Sequence, residues 1–255
     1  MPVYSERRPI LRWELTSHES GVVMKFYELA FGCWAYNIIS GNDSRVTELR
    51  LATDGQVDPR NSAHQEVLFK WLNKWGCRQF DIAHHEIAAQ SLDSWASKWL
   101  SSLPSDDMAL ETINNAQIDV VGAAYDDLRM RQAGRRRLID GSPSHVTYGP
   151  VGAAKTLFAL RPNICPPWDN YTLRELGLDH SGASYCEYLQ LVLSNLKTAS
   201  IQAGIQITEL PALVSRPNST PPKLIDEYYW TTITRRFTPP SPETLKQWVS
   251  WAELG

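Results

Sequence analysis

A lysine and an aspartate stand fourteen residues apart in a segment that could support covalent chemistry. Residues 149–171 read GPVGAAKTLFALRPNICPPWDNY, in which a glycine-marked turn precedes Lys155 and a proline pair precedes Asp169. A lysine that lies near a helix start and is removed from water has a lowered pKa, and so more of its amine is neutral and nucleophilic. A carboxylate in the same cleft could stabilise developing positive charge. The pair therefore indicates amine nucleophilic catalysis, while a solvated lysine and a simple helix cap would give the same pattern.

The elements around this pair are predicted to be two short helices joined by a stiff turn. The first helix covers GAAKTLFAL and ends before Arg161 and Pro162, and the second covers NYTLRELGL. Pro166 and Pro167 forbid helix continuation, and Asp169 is predicted to cap the second helix through its side chain. A short helix followed by such a turn can bring its two flanking residues to one side of the molecule.

The rest of the chain is predicted to be mainly α-helical. Helical patterns with caps and apolar stripes recur from Pro59 onward, including a third stretch over residues 106–134 with a break near Asn114 and Asn115. Residues 22–39 fit either a buried helix or two strands, and residues 45–55 fit a strand and turn or a frayed helix. We expect an N-terminal elaboration over residues 1–58, a helical domain over residues 59–255, and a surface loop at residues 211–223.

Composition places the chain among ordinary globular proteins. The 255 residues carry a formal net charge of -3 and include four cysteines with no CxxC pair. Neither a disulfide framework nor a zinc site is predicted, and reduced thiols in a cytoplasm are the simplest interpretation. Adjacent histidines at His84 and His85 point about 100° apart on a helix, so they do not form a chelating pair. No signal peptide or membrane span is expected.

One basic cluster stands out against the overall negative charge. Arginines occur at Arg129, Arg131, Arg135, Arg136 and Arg137. They fit a solvated helix end, where cations favour the dipole, or a contact with nucleic-acid phosphates.

The motif around the lysine and aspartate resembles the helix–hairpin–helix DNA glycosylase superfamily, especially its 8-oxoguanine DNA glycosylase-like branch. The resemblance is carried by PVGAAKT and PPWDNYT, and it extends over about residues 146–178. It implies that Lys155 is the nucleophile and Asp169 the essential carboxylate. It also implies that the DNA backbone is held by the hairpin and the neighbouring arginines, namely Gly149, Val151, Gly152, Arg135, Arg136 and Arg137.

The resemblance further implies a DNA N-glycosylase and AP lyase that excises a damaged or modified purine. The base would be flipped out of double-stranded DNA, and Lys155 would form a Schiff base at the sugar. Neither a metal nor another cofactor is implied. Candidate walls of the base pocket are Trp168, Tyr229 and Trp230, although core packing would explain each of these aromatic residues as well.

An alternative function stays open. A glycosylase-like module without turnover could bind a modified base, a nucleotide or a protein partner, for example one encoded in a bacterial anti-phage defence operon. The negative net charge and the alanines at Ala153 and Ala154 in the hairpin favour this alternative over housekeeping repair. A purely structural helical scaffold would instead place Lys155 and Asp169 far apart.

Overall fold

The computed structural model describes residues 24–40, 43–137 and 142–253. Within them the chain forms eleven α-helices and one small antiparallel sheet, so the predicted mainly α class is confirmed. The helices are α1 (Phe26–Ser40), α2 (Asp43–Leu51), α3 (Ser62–Lys74), α4 (His85–Trp99), α5 (Asn115–Met130), α6 (Gly149–Leu160), α7 (Asn170–Leu176), α8 (Gly182–Ala203), α9 (Leu210–Leu213), α10 (Pro221–Tyr229) and α11 (Pro242–Ala252). The strands are β1 (Gln132–Arg137) and β2 (Pro143–Thr147), and a π-helical turn, Trp230–Thr234, continues α10.

Side-chain caps set the helix starts that the sequence predicts. Asn114 and Gln117 form a reciprocal capping box at the start of α5, so the predicted break near residue 114 is the helix start itself. Ser181 and Ser241 cap α8 and α11 by accepting a backbone N–H. Gly204 closes α8 in the left-handed conformation, with φ 69°.

The third helical stretch ends earlier than predicted, because the arginine-rich segment is a strand. After α5 ends at Met130, β1 pairs with β2 in an antiparallel register that places Arg135 opposite His145. The pairing satisfies backbone groups that a helix would otherwise satisfy internally. Gly134 lets β1 approach the chain before α4, since a Cβ there would lie 3.3 Å from the Gln79 carbonyl oxygen. The arginines of residues 135–137 are therefore not at a helix end.

The predicted surface loop at residues 211–223 is confirmed for residues 214–220, which lie between helices, whereas its two ends belong to α9 and α10. The loop includes the buried Arg216, which makes a bidentate ion pair with Glu227 of α10 at 3.0 Å for each bond. Asn37 accepts a further hydrogen bond from the same guanidinium at 2.8 Å. These bonds offset the cost of burying the arginine.

The described part of the predicted N-terminal elaboration is helical and shares the main core. Helix α1 lies against α10, and a Cβ on Gly32 would come within 2.9 Å of the Tyr228 Cα atom. Thr231 donates a hydrogen bond to the Gly32 carbonyl at 2.9 Å. Leu29 and Cys33 are fully buried in the same hydrophobic cluster as the later helices. Residues 1–23 of the elaboration lie outside the described residues.

Helices α5 and α8 make a close contact through two glycines. A Cβ on Gly122 would lie 2.2 Å from the Cys186 Sγ atom, and one on Gly182 would lie 2.4 Å from the Gly122 carbonyl oxygen. The two backbones therefore touch without intervening side chains. Among the described helices, none combines the length and apolar character needed to cross a lipid bilayer.

Candidate active site

Lys155 lies in the second turn of α6 and is largely withdrawn from solvent. Its Nζ donates a hydrogen bond to the Trp75 carbonyl at 2.6 Å and lies 4.5 Å from the centroid of the Trp75 ring. Burial lowers the pKa of Lys155 below its ordinary value. The helix dipole acts mainly within the first turn, so burial rather than the helix start makes this amine unusual.

Asp169 caps α7, as predicted, and both of its carboxylate oxygens accept hydrogen bonds. One oxygen accepts the backbone N–H of Thr172 at 2.8 Å, and the other accepts the hydroxyl of Thr234 at 2.8 Å. Thr234 ends the π-helical turn, which carries one more residue per turn than an α-helix and is frequent at functional sites. The carboxylate is thus fixed from two separate elements.

Lys155 and Asp169 both line a cavity of about 270 Å³ that we call the aromatic cavity. Its walls come from α1, α3, α6, α10 and the turn before α7. The lining residues are Tyr36, Lys74, Trp75, Gly76, Lys155, Pro167, Trp168, Asp169, Asp226 and Trp230. The two residues that the motif singles out therefore share a concave site, which is the arrangement that amine catalysis requires.

A second concavity adjoins the aromatic cavity. We call it the hairpin groove because strands β1 and β2, which form an antiparallel hairpin, contribute to its lining. It has a volume of about 660 Å³ and is lined by β2, the start of α6 and one arginine of β1. Trp75, Gly76, Lys155 and Asp169 line both spaces. The amine and the carboxylate therefore lie where the aromatic cavity meets the wider hairpin groove.

A buried ion pair on α10 forms the wall behind the aromatic cavity. Asp226 accepts a hydrogen bond from Lys223, whose Nζ also contacts the Tyr36 hydroxyl at 3.3 Å. Although burial disfavours the ammonium, the Asp226 carboxylate raises the pKa of Lys223 above its ordinary value. The site thus contains one lysine whose pKa is raised, behind its wall, and one lysine whose pKa is lowered, on its surface.

The predicted base-pocket residues take different positions. Trp230 lines the aromatic cavity and packs edge-on against Tyr36 with ring centroids 5.2 Å apart. Trp168 also reaches the cavity, but it is 1% exposed and donates its indole N–H to the Pro150 carbonyl at 3.2 Å. Tyr229 lines neither space: successive helical residues point about 100° apart, so its hydroxyl faces Asn195 of α8 at 2.8 Å.

Of the residues predicted to bind the DNA backbone, some line the hairpin groove and others do not. Gly149, with φ 67°, Val151 and Arg136 line the hairpin groove, together with His145 of β2. Gly152 is buried, and a Cβ there would lie 2.6 Å from the Gln79 side-chain nitrogen, so this glycine lets α6 pack closely against the segment that follows α3.

Of the other two arginines, only Arg135 has a described side chain. Arg135 is exposed and does not line the hairpin groove. Arg137 is placed by its backbone in β1 and pairs with residue 143, while its side chain lies outside the described part of the structure.

Several site residues are missed by the sequence analysis because they come from distant elements. Tyr36 lies on α1, Trp75 follows α3, and Asp226 and Thr234 belong to the α10 region. The segment LIDEYYW, which contains both Asp226 and Trp230, is the one part of the sequence that points to the α10 wall of the cavity. Over residues 24–40, 43–137 and 142–253 there is no cluster of three histidine, cysteine or acidic residues suited to a metal ion.

Comparison of the chain with protein-family models, curated proteins and solved structures gives no match.

Proposed function

We propose that the protein is a DNA N-glycosylase with AP-lyase activity that excises a damaged or modified purine through a Schiff base on Lys155. The observation that carries the proposal is the position of Lys155 and Asp169 on one shared cavity, with the lysine pKa lowered by burial. The proposal includes the glycosylase-like assignment of the helical domain. The element before α6 is a β-hairpin rather than a helix, so the resemblance is strongest from Gly149 onward.

The chemistry follows from two groups. The neutral Lys155 amine attacks the sugar C1′, the bond between C1′ and the base nitrogen breaks, and the base leaves with that electron pair and takes up a proton. Loss of the amine protons and opening of the sugar ring give the Schiff base. The Asp169 carboxylate, held by Thr172 and Thr234, stabilises positive charge that develops on the sugar. In the β-elimination that follows, a C2′ proton is lost to a base, the C3′–O bond breaks, and the 3′ phosphate leaves with the bonding electrons, so that the strand is cleaved.

The two concavities suit the two parts of such a substrate. An extruded base needs a pocket with aromatic walls on which it can stack, and Trp75 and Trp230 supply such walls in the aromatic cavity. The hairpin groove offers Arg136 and unpaired N–H groups at the start of α6 to the phosphates on either side. The junction between the two spaces then corresponds to the sugar, where the amine and the carboxylate lie.

Borohydride trapping tests this function directly. The protein is incubated with duplexes that each carry one modified purine, with sodium borohydride present, and covalent protein–DNA adducts are counted. We expect an adduct with at least one duplex, and its loss in Lys155→Gln. The matched control is Lys197→Gln, an exposed lysine of α8, which should trap as the wild type does. Adducts that persist at wild-type levels in Lys155→Gln would refute the mechanism.

A binding module is the second candidate, and one contact favours it. The Lys155 amine is held by the Trp75 carbonyl and ring and must leave them before it can attack a sugar. Under this alternative, wild-type protein gives no adduct with any duplex yet binds a modified base, a nucleotide or a protein partner. Fluorescence titration of the cavity tryptophans with modified nucleosides separates the two candidates, because binding without trapping supports only the module.

A further inference from the structure

Helix α3 ends in a left-handed turn beside Lys155. The Trp75 N–H bonds back to the Trp71 carbonyl at 2.9 Å, and the N–H groups of Gly76 and Cys77 bond back to Asn73 and Leu72 at 3.1 and 2.9 Å. The chain reverses at Gly76, which has φ 89°. This left-handed closure is typical of a helix end, and it is readily adopted by glycine.

The reversal directs the Trp75 carbonyl toward α6 instead of along the axis of α3. That carbonyl accepts the Lys155 hydrogen bond at 2.6 Å, and the Trp75 ring lies beside the same amine at 4.5 Å from its centroid. Two parts of one residue therefore hold the amine. The negative end of the α3 dipole and the ring face both favour the ammonium form, in opposition to burial.

We propose that the end of α3, through the left-handed Gly76 and the Trp75 carbonyl, positions the Lys155 amine at the mouth of the aromatic cavity. The inference rests on the proposed role of Lys155 as a nucleophile. Gly76 is then a positioning residue: it contributes no functional group but fixes where the carbonyl points. The charged and titratable groups that act on Lys155 from neighbouring elements are Cys77, Asp226, Lys223 and Asp169.

The chain offers a matched pair of glycines for the test. Gly76 and Gly55 both have φ 89°, and a Cβ on either meets no atom within 4 Å. Alanine at either position therefore introduces the same backbone strain without a clash. Gly55 lines neither the aromatic cavity nor the hairpin groove, so Gly55→Ala controls for the loss of stability. Gly76→Asn is the rescue variant, because asparagine adopts the left-handed conformation more readily than alanine does.

The first measurement needs no DNA. Lys155 is acetylated with limiting acetic anhydride across a pH series, and the extent of labelling is read by peptide mass spectrometry. In Gly76→Ala we expect the midpoint to move about one unit toward lower pH, the shift expected for losing a charge-assisted hydrogen bond to the ammonium. Gly55→Ala should show the wild-type midpoint, and Gly76→Asn a midpoint between the other two.

The second measurement is the borohydride trapping rate at its high-pH plateau, where the amine is neutral in every variant. We expect Gly76→Ala to lose about tenfold, since a misplaced nucleophile reacts slowly even when it is neutral. An unchanged labelling midpoint in Gly76→Ala would overturn the proposal. A larger loss in Gly76→Asn than in Gly76→Ala would do so too, because it would show that side-chain bulk, not backbone conformation, is responsible.

The two measurements separate this inference from the proposed function. Absence of trapping in the wild type rejects the glycosylase, while the labelling midpoints still report on the positioning of the amine. Trapping in the wild type together with unshifted midpoints rejects the positioning alone.

Discussion

The buried ion pair between Arg216 and Glu227 allows a sharp test of what orients α10. Glu227 is fully buried, accepts two hydrogen bonds from the guanidinium, and accepts a third from Ser219 at 3.1 Å. The preceding residue, Asp226, lines the aromatic cavity. The ion pair therefore fixes the back of the helix whose front forms part of the candidate site.

Removing one partner should cost much more than removing both. Glu227→Gln keeps the side-chain shape but leaves the Arg216 charge buried without its carboxylate, and breaking such a pair costs about 3–5 kcal/mol. Arg216→Met leaves the carboxylate uncompensated and should cost a similar amount. The double variant buries no unpaired charge, so we expect it to be no less stable than either single variant.

Urea denaturation of the four proteins gives the free energies of unfolding, with equal m-values as the check that one transition is being compared. The matched control is the exposed pair Lys70 and Glu66, where Glu66→Gln should cost much less, because solvent screens both charges. Strict additivity of the Arg216 and Glu227 effects would refute the reasoning, because it would mean that the two side chains stabilise the fold independently.

Three further predictions concern the site and the core. Thr234→Val removes one donor to Asp169 and should slow borohydride trapping by about 10- to 100-fold, the effect of losing a hydrogen bond to a charged group; an unchanged rate would mean that this bond does not matter for the reaction. The trapping rate should rise with pH and reach its half-maximum below 10.5, since burial lowers the pKa of Lys155 and only the neutral amine attacks; a midpoint at or above that value would contradict the burial argument. Gly122→Ala should destabilise the protein by about 1–3 kcal/mol or more in urea denaturation, because a methyl group has no room against α8. The control, Ala123→Gly at the next, exposed position, should cost only about 1 kcal/mol. Equal effects of the two substitutions would argue against the close contact.

Local signals in the sequence predict most of the helices, because a cap or a proline acts within a few residues of where it stands. Ser241 and Pro242 mark the start of α11, and Asp169 marks the start of α7. The antiparallel pair of strands β1 and β2 is not predicted, because residues 132–137 have no alternating apolar pattern. They become a strand only by pairing with residues 143–147.

The residues of the candidate site likewise fall into two groups, those that the sequence predicts and those that it does not. Lys155 and Asp169 are accessible to sequence reasoning because one short helix and one turn connect them. Tyr36, Trp75 and Thr234 reach the site from elements far away in the chain, and only tertiary packing brings them there. Tyr229 shows the opposite error: its place beside Trp230 in the sequence suggests a shared pocket, but the helix turns it toward α8.

The π-helical turn after α10 has a consequence for variation in chain length. Removing any one residue from Trp230–Thr234 would let an ordinary α-helix form and rotate everything downstream by about 100°. The Thr234 hydroxyl would then no longer bond the Asp169 carboxylate, and the start of α11 would change its orientation in the same rotation. Homologues that keep the same chemistry should therefore conserve the number of residues in this turn, together with Trp230, which lines the aromatic cavity, and Thr234, which bonds the carboxylate.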